Sequence, residues 1–171
     1  PAPRIAPTMK GYLKSPLSAI ADRRALGLFF ITLVTFVILY GSYLTYLPLY
    51  IDSRFGSSSF VIGFVMASTS LATLLITTKM GWFVKRWNER ELMTGGFVLI
   101  ACAMLVFPNV PTLWAFLLPT ILYGFGNGIN TPSAQSILVG LAPENARAGF
   151  LSVNSTVLRI GQTLGPLIMG F

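Results

Sequence analysis

Gly81-Trp82-Phe83-Val84-Lys85-Arg86-Trp87-Asn88-Glu89-Arg90 is a short basic stretch between two long runs without charge, residues 55–78 before it and residues 92–143 after it. A basic loop flanked by such runs is a sign of membrane topology, because it marks the side on which the chain turns back. The remaining composition agrees. Of 171 residues, 54% are hydrophobic and only 10% are charged, against about 25% charged in an ordinary soluble domain. Together with a mean hydropathy of +0.72, this places the chain in the membrane class.

Working outward from the loop, five stretches meet the length of about 20 mainly apolar residues that a spanning helix needs. They cover about 25–49, 58–78, 91–108, 112–139 and 148–170, with the turn Pro108-Asn109-Val110-Pro111 splitting the third from the fourth. The expected fold is therefore an all-α membrane protein with five transmembrane helices, preceded by a polar, Pro-containing tail at 1–24. That tail reads equally as a cytoplasmic linker or as a disordered terminus. Ten basic residues fall on the side of the tail and the Gly81–Arg90 loop, among them Arg23, Arg24, Lys79 and Arg147, against Arg54 alone on the other. The positive-inside rule assigns the basic loops to the cytoplasm of a plasma or inner membrane and the carboxyl end to the outside. The tail from Pro1 is not expected to be a signal peptide, and the end at Phe171 is still apolar. Both ends are expected to continue into a longer polypeptide.

Several function classes are excluded on chemistry. The net charge of +7 sits beside apolar spans, not on a polar basic stripe, so nucleic acid is not an expected partner. There is no His, and the single Cys102 lies in an apolar run, which leaves no metal site, no disulfide framework and no common general base. Asp22, Asp52, Glu89, Glu91 and Glu144 all fall at span edges or in loops. No carboxylate pair or carboxylate proton relay is thus housed in the spans, and no catalytic residue or cofactor is expected. Gly124-Phe125-Gly126-Asn127-Gly128 is not read as a phosphate cradle, since no strand precedes it.

Polar groups inside a span are costly, so their placement carries information. At 100° per residue, Ser152, Ser155, Arg159, Gln162 and Pro166 share one stripe of the fifth span, and Asn154, Gly161 and Gly165 share another. Gly161-x-x-x-Gly165 marks a face for close helix packing. Arg159 lies 12 positions from Arg147 and 12 from Phe171, about 18 Å from either end at about 1.5 Å per residue. A charge at that depth serves either as a structural partner, to Gln135, Asn154 or a backbone carbonyl, or as a substrate or gating contact. In the fourth span Tyr123, Asn127, Asn130 and Ala134 form a stripe, with Pro119 and Pro132 expected to bend the helix. In the first span Phe29, Thr32, Phe36, Tyr40, Tyr43 and Leu47 form an aromatic stripe, open to reading as packing, lipid contact or site.

The chain resembles the major facilitator superfamily of transporters. The family's loop between helices two and three follows G-x-x-x-D-[RK]-x-G-[RK]-[RK], repeated less faithfully between helices eight and nine. Here Gly81, Arg86 and Arg90 match, while Lys85 replaces the Asp, Asn88 the Gly and Glu89 a basic residue. Leu141-Ala-Pro143-Glu-Asn-Ala-Arg147-Ala-Gly149 looks like the connection between helices ten and eleven. Gly161-Gln-Thr-Leu-Gly165-Pro166-Leu-Ile-Met-Gly170 resembles the G-x-x-x-G-P-x-x-x-G helix of antiporter-type members. The resemblance implies the carboxy-terminal half, helices seven to eleven, with the amino-terminal half of the same polypeptide missing. It implies alternating access around a substrate cavity lined by the first and fourth helices. That maps onto Tyr40, Tyr43, Tyr123, Asn127 and Asn130, to which Arg159 and Gln162 are added, while Gly81, Lys85, Arg86 and Arg90 form a cytoplasmic gate loop. With Lys85 in place of the Asp, Glu89 or Glu91 is left to substitute in the gate's acid–base latch.

The function expected is efflux or exchange of small organic compounds by a secondary carrier, with a small-molecule substrate, the lipid bilayer and the missing half as partners. If protons drive it, their carboxylate lies in the missing half. The alternative is a membrane scaffold that binds a partner and transports nothing.

Overall fold

A computed structural model describes residues 22–144 and 146–170. Residues 1–21, most of the tail expected at 1–24, lie outside the described residues. Among the described residues the chain is helical and contains no strand, in agreement with an all-α class.

Helix α1 (Arg23–Ile38) starts at Asp22, whose carboxylate accepts from the Arg24 N–H at 2.8 Å and so satisfies one orphan donor of the first turn. It runs into a π-helical stretch, Leu39–Tyr46, and then α2 (Leu47–Phe55). The wide turn has a local cause. Pro48 has no N–H to offer the Leu44 carbonyl, which disfavours regular α winding at the end of the stretch, and within it Thr45 Oγ1 donates to the Tyr40 carbonyl five residues back at 2.7 Å. Gly56 ends α2 in the left-handed region at φ 57°, its N–H meeting the Asp52 carbonyl at 2.8 Å. Helix α3 (Ser59–Thr78) follows, then the short α4 (Met80–Phe83), α5 (Glu89–Val106), two 3₁₀ turns at Phe107–Asn109 and Leu113–Phe116, α6 (Leu117–Leu141) and α7 (Arg147–Met169). Among the described residues three helical stretches are long and apolar enough to cross a membrane: Arg23–Phe55, Ser59–Thr78 and Glu89–Asn109. Helices α6 and α7, of 25 and 23 residues, are long enough at about 1.5 Å per residue but carry amides, hydroxyls and, in α7, Arg159.

The described residues form two compact units, 22–45 with 137–170, and 46–136. In the first, α1 and α7 pack with Ala25, Leu28, Phe29 and Phe150 buried. Their contacts advance together along both chains, Asn154 at Thr32 and Gln162 at Tyr40, so the two helices run parallel. In the second unit, hydroxyls on α3 step along α6 in the same direction, Thr69 to Thr120, Thr73 to Gly124 and Thr77 to Gly128, so these helices are also parallel. Helix α5 runs against α6: Gly96 lies at Gly126 and Asn130, and Glu89 at Ser136.

One end of the second unit is closed by an aromatic knot around the fully buried Phe116. Tyr50, Phe55 and Phe107 hold their ring centroids 5.8–6.2 Å from it. Arg54 lies over the Tyr50 and Phe55 rings and donates to the Pro108 carbonyl at 3.1 Å. The basic loop is at the other end.

Candidate functional site

Helix α7 can lie close to α1 because its contact face has no side chains in two places. A Cβ on Gly161 would stand 2.9 Å from the Leu33 carbonyl oxygen and from Phe36 Cβ, and one on Gly165 would stand 2.8 Å from Gly41 N and Val37 O. Gly41, in the π-helical stretch, is equally tight: its Cβ would fall 2.6 Å from Gly165 O. This close approach sets the reach of the polar side chains beside it. Thr32 Oγ1 donates to Asn154 Oδ1 at 3.0 Å. Eight residues further along each helix, Gln162 Nε2 donates to the Tyr40 hydroxyl at 2.9 Å, and Gln162 Oε1 accepts from Arg159 Nη1 at 2.9 Å.

Tyr40, Gln162 and Arg159 are therefore joined in one hydrogen-bonded line. The phenol accepts in it, which leaves its own O–H to donate. Arg159 is exposed and uses one of its five N–H groups on Gln162. Among the described residues the one ion pair is the exposed Arg147–Glu144 contact at 3.9 Å, and none of their carboxylates neutralises Arg159. The line presents unused donors, a neutral one and a cationic one, toward any solute that carries acceptor oxygens. It contains no nucleophile with a base and breaks no bond. Tyr43 is buried. Both tyrosines lie in the π-helical stretch, where a wider turn rotates less per residue than the 100° that puts Tyr40 and Tyr43 on one stripe. Pro166 lies half-buried inside α7.

The other amide and tyrosine positions belong to the second unit. Tyr123 and Asn130 are buried, and Asn127 is half-buried and accepts from Thr131 Oγ1 at 3.4 Å. Asn130 packs onto Gly96, where its amide fills the space a Cβ would need. Both polar atoms of that amide lack a hydrogen-bond partner, as does Ser133 Oγ one turn on. Buried amides are rarely left so, because each unmet group costs about 1–3 kcal/mol. Asn130 is thus a donor and an acceptor held ready in an otherwise packed seam.

In the basic loop Gly81 is exposed with open space around it. Lys85, Arg86 and Arg90 are exposed as well. Arg86 lies over the Trp82 ring at 5.2 Å. Glu91 Oε2 accepts from the Asn88 N–H at 3.0 Å at the start of α5, and Glu89 Oε1 accepts from Ser136 Oγ. Neither acid reaches a loop cation within ion-pair distance.

Sequence reasoning missed the threonine ladder. Thr69, Thr73 and Thr77 donate to the carbonyls of Thr120, Gly124 and Gly128 at 2.9, 2.9 and 3.3 Å. The signal was present, three threonines at a spacing of four facing two glycines at the same spacing. The last rung has a special partner. Pro132 has no N–H for the Gly128 carbonyl, and Thr77 supplies a hydroxyl from the neighbouring helix instead.

With this geometry in hand, comparison with known proteins is direct. The family described as Major Facilitator Superfamily matches residues 28–171. A multidrug resistance protein B homolog of Mycobacterium tuberculosis (strain CDC 1551 / Oshkosh) is 25% identical over 117 residues, 68% of this chain and 22% of that protein. The multidrug resistance protein MdtG of Salmonella arizonae is 22% identical over 160 residues, 92% of this chain and 40% of that protein. The chain thus spans well under half the length of these relatives. No solved structure matches.

Proposed function

The chain belongs to the Major Facilitator Superfamily, a family of membrane transporters and not of enzymes, and on that premise we propose that it forms the carboxy-terminal half of an efflux carrier for small organic compounds. The line Tyr40–Gln162–Arg159 is the observation that carries the reading. A neutral donor and an unneutralised guanidinium on one membrane helix pair suit recognition of acceptor-bearing organic solutes, which the aromatic rings nearby would hold by their faces. The names of the two relatives, both multidrug resistance proteins, support efflux.

Five spans are favoured over three by helix direction. Crossing the bilayer in turn makes the first and fifth spans parallel, the second and fourth parallel, and the third and fourth antiparallel. The α1/α7, α3/α6 and α5/α6 pairs have these senses. In this reading the basic loops face the cytoplasm and the Gly81–Arg90 loop lies at the cytoplasmic gate. Tyr43, Tyr123, Asn127 and Asn130 line the path, and Gly161, Gly165 and Pro166 set the packing of α7. The two halves rock about a midplane site. Any coupling proton is carried by a carboxylate of the amino-terminal half.

The test is transport by the full-length protein in vesicles carrying Y40F, Q162A or R159A. Each is expected to weaken apparent substrate affinity about tenfold, the scale of one lost hydrogen bond to the solute. Unchanged transport and affinity in all three would remove this site assignment.

A further inference from the structure

We propose that the segment from Lys79 to Arg90 is a binding site for anionic phospholipid, with its tryptophans seated among the headgroups and its cations on the lipid phosphate. The inference goes beyond the transport reading. It needs the flanking helices to lie in a bilayer and is indifferent to whether the protein moves a solute.

Two features are independent of each other. The first is an aromatic cluster that faces outward. Trp82 and Trp87 are 51% and 42% exposed, and their rings pack chiefly on one another and on Phe83, with centroids 5.1–5.7 Å apart. Two exposed tryptophans directly after an apolar helix match the amphipathic ring that settles at headgroup depth. The second feature is charge. Lys79, Lys85, Arg86 and Arg90 are exposed, and among the described residues no carboxylate is in ion-pair distance of any of them. The two acids in the same stretch are occupied, Glu91 on the Asn88 N–H and Glu89 on Ser136. Four cations are left for an external anion.

Arg86 joins the two features. Its guanidinium lies over the Trp82 ring at 5.2 Å, a contact that leaves its N–H groups for the paired oxygens of a phosphate. A soluble phosphate would meet the cations and leave the rings in water. A phospholipid meets both, and a net negative headgroup answers the unpaired charge where a zwitterion brings its own cation. Each basic residue near an anionic surface adds attraction equivalent to about fivefold in partitioning.

The experiment uses the full-length protein in phosphatidylcholine vesicles containing either brominated phosphatidylglycerol or brominated phosphatidylcholine. The fluorescence quenched in the parent and absent in W82F/W87F isolates these two rings. The expected result is half-quenching at a mole fraction of brominated phosphatidylglycerol more than about tenfold lower, with the preference abolished in K85Q/R86Q/R90Q. Far-UV circular dichroism confirms the fold of that variant, and R86Q alone, expected to reduce the preference about fivefold, replaces it if helicity is lost. Equal quenching by the two lipids, no quenching by either, or a preference that survives the substitutions would overturn the proposal. So would release of the quenching by inorganic phosphate, which would make the site one for a soluble anion. Loss of transport with the lipid preference intact would bear on the carrier reading and leave this one standing.

Discussion

The α1/α7 and α3/α6 pairs are alike in direction and in their glycine seams, yet they place their hydrogen bonds differently. On α3 each hydroxyl ends on a backbone carbonyl of α6, at Thr120, Gly124 and Gly128. Those acceptors have one position and cannot rotate away. Between α1 and α7 the bonds run from side chain to side chain, Thr32 to Asn154 and Gln162 to Tyr40. Each of these groups has other rotamers and other partners available. The first pair is built to keep one arrangement, and the second to exchange polar contacts while its backbone spacing holds.

The comparison is broken most forcefully at the glycines. G124A would put a Cβ 2.5 Å from the Thr69 carbonyl oxygen and 2.8 Å from Ala72 Cβ. Backbone cannot retreat as a side chain can, and a loss of about 3 kcal/mol is expected in the thermal or denaturant unfolding of the detergent-solubilised protein. G165A meets the Gly41 and Val37 backbone at 2.8 Å and is expected to cost somewhat less, about 2 kcal/mol. A larger loss for G165A than for G124A would reverse the ranking of the two seams.

The ladder gives a sharper test. T73V removes a bond to Gly124, a carbonyl that keeps its own helical donor, and should cost about 0.6 kcal/mol, the mean for such bonds in a membrane. T77V strips the Gly128 carbonyl of its cross-helix donor where Pro132 offers none, and should cost about 1–2 kcal/mol. In a double-mutant cycle, P132A restores the N–H and should recover most of the T77V loss while leaving T73V unchanged. Additive T77V and P132A effects would mean that the Gly128 carbonyl is not the shared partner. In the exchangeable pair, Q162A should shift unfolding by about 0.5 kcal/mol, its main consequence being on transport. The smallest effect is expected at the basic loop: G81A meets nothing within 4 Å, and unfolding should move by no more than a few tenths of a kcal/mol.

Helical periodicity and the absence of charge were enough to give the all-α class, and the order of motifs around Gly81, Arg147 and Gly161 pointed to the family before any coordinates. What periodicity gives is a face, not a partner. Tyr40 and Gln162 lie on separate stripes 122 residues apart, and nothing in one dimension says that they meet. Stripes also assume constant winding. That assumption holds along α7, where Asn154, Gly161 and Gly165 do lie together against α1. It does not hold across Leu39–Tyr46, where the π winding turns less than 100° per residue. On α6, Asn130 shares a stripe with Tyr123 and Asn127, which the family resemblance assigns to the cavity. Its burial follows from Gly96 on α5, a glycine that no periodic argument on α6 reveals.

The senses of the helices in the second unit have an electrical consequence. Two of its three long helices, α3 and α6, point one way and α5 the other, so the peptide dipoles do not cancel in pairs. One helix's worth remains, equivalent to about half an elementary charge at each end. Its negative pole lies toward Lys79 and the cations beyond it, its positive pole toward the aromatic knot where Arg54 is the lone cation. The backbone itself thus polarises this part of the protein along its axis, in the sense that favours gathering basic side chains at Lys79–Arg90.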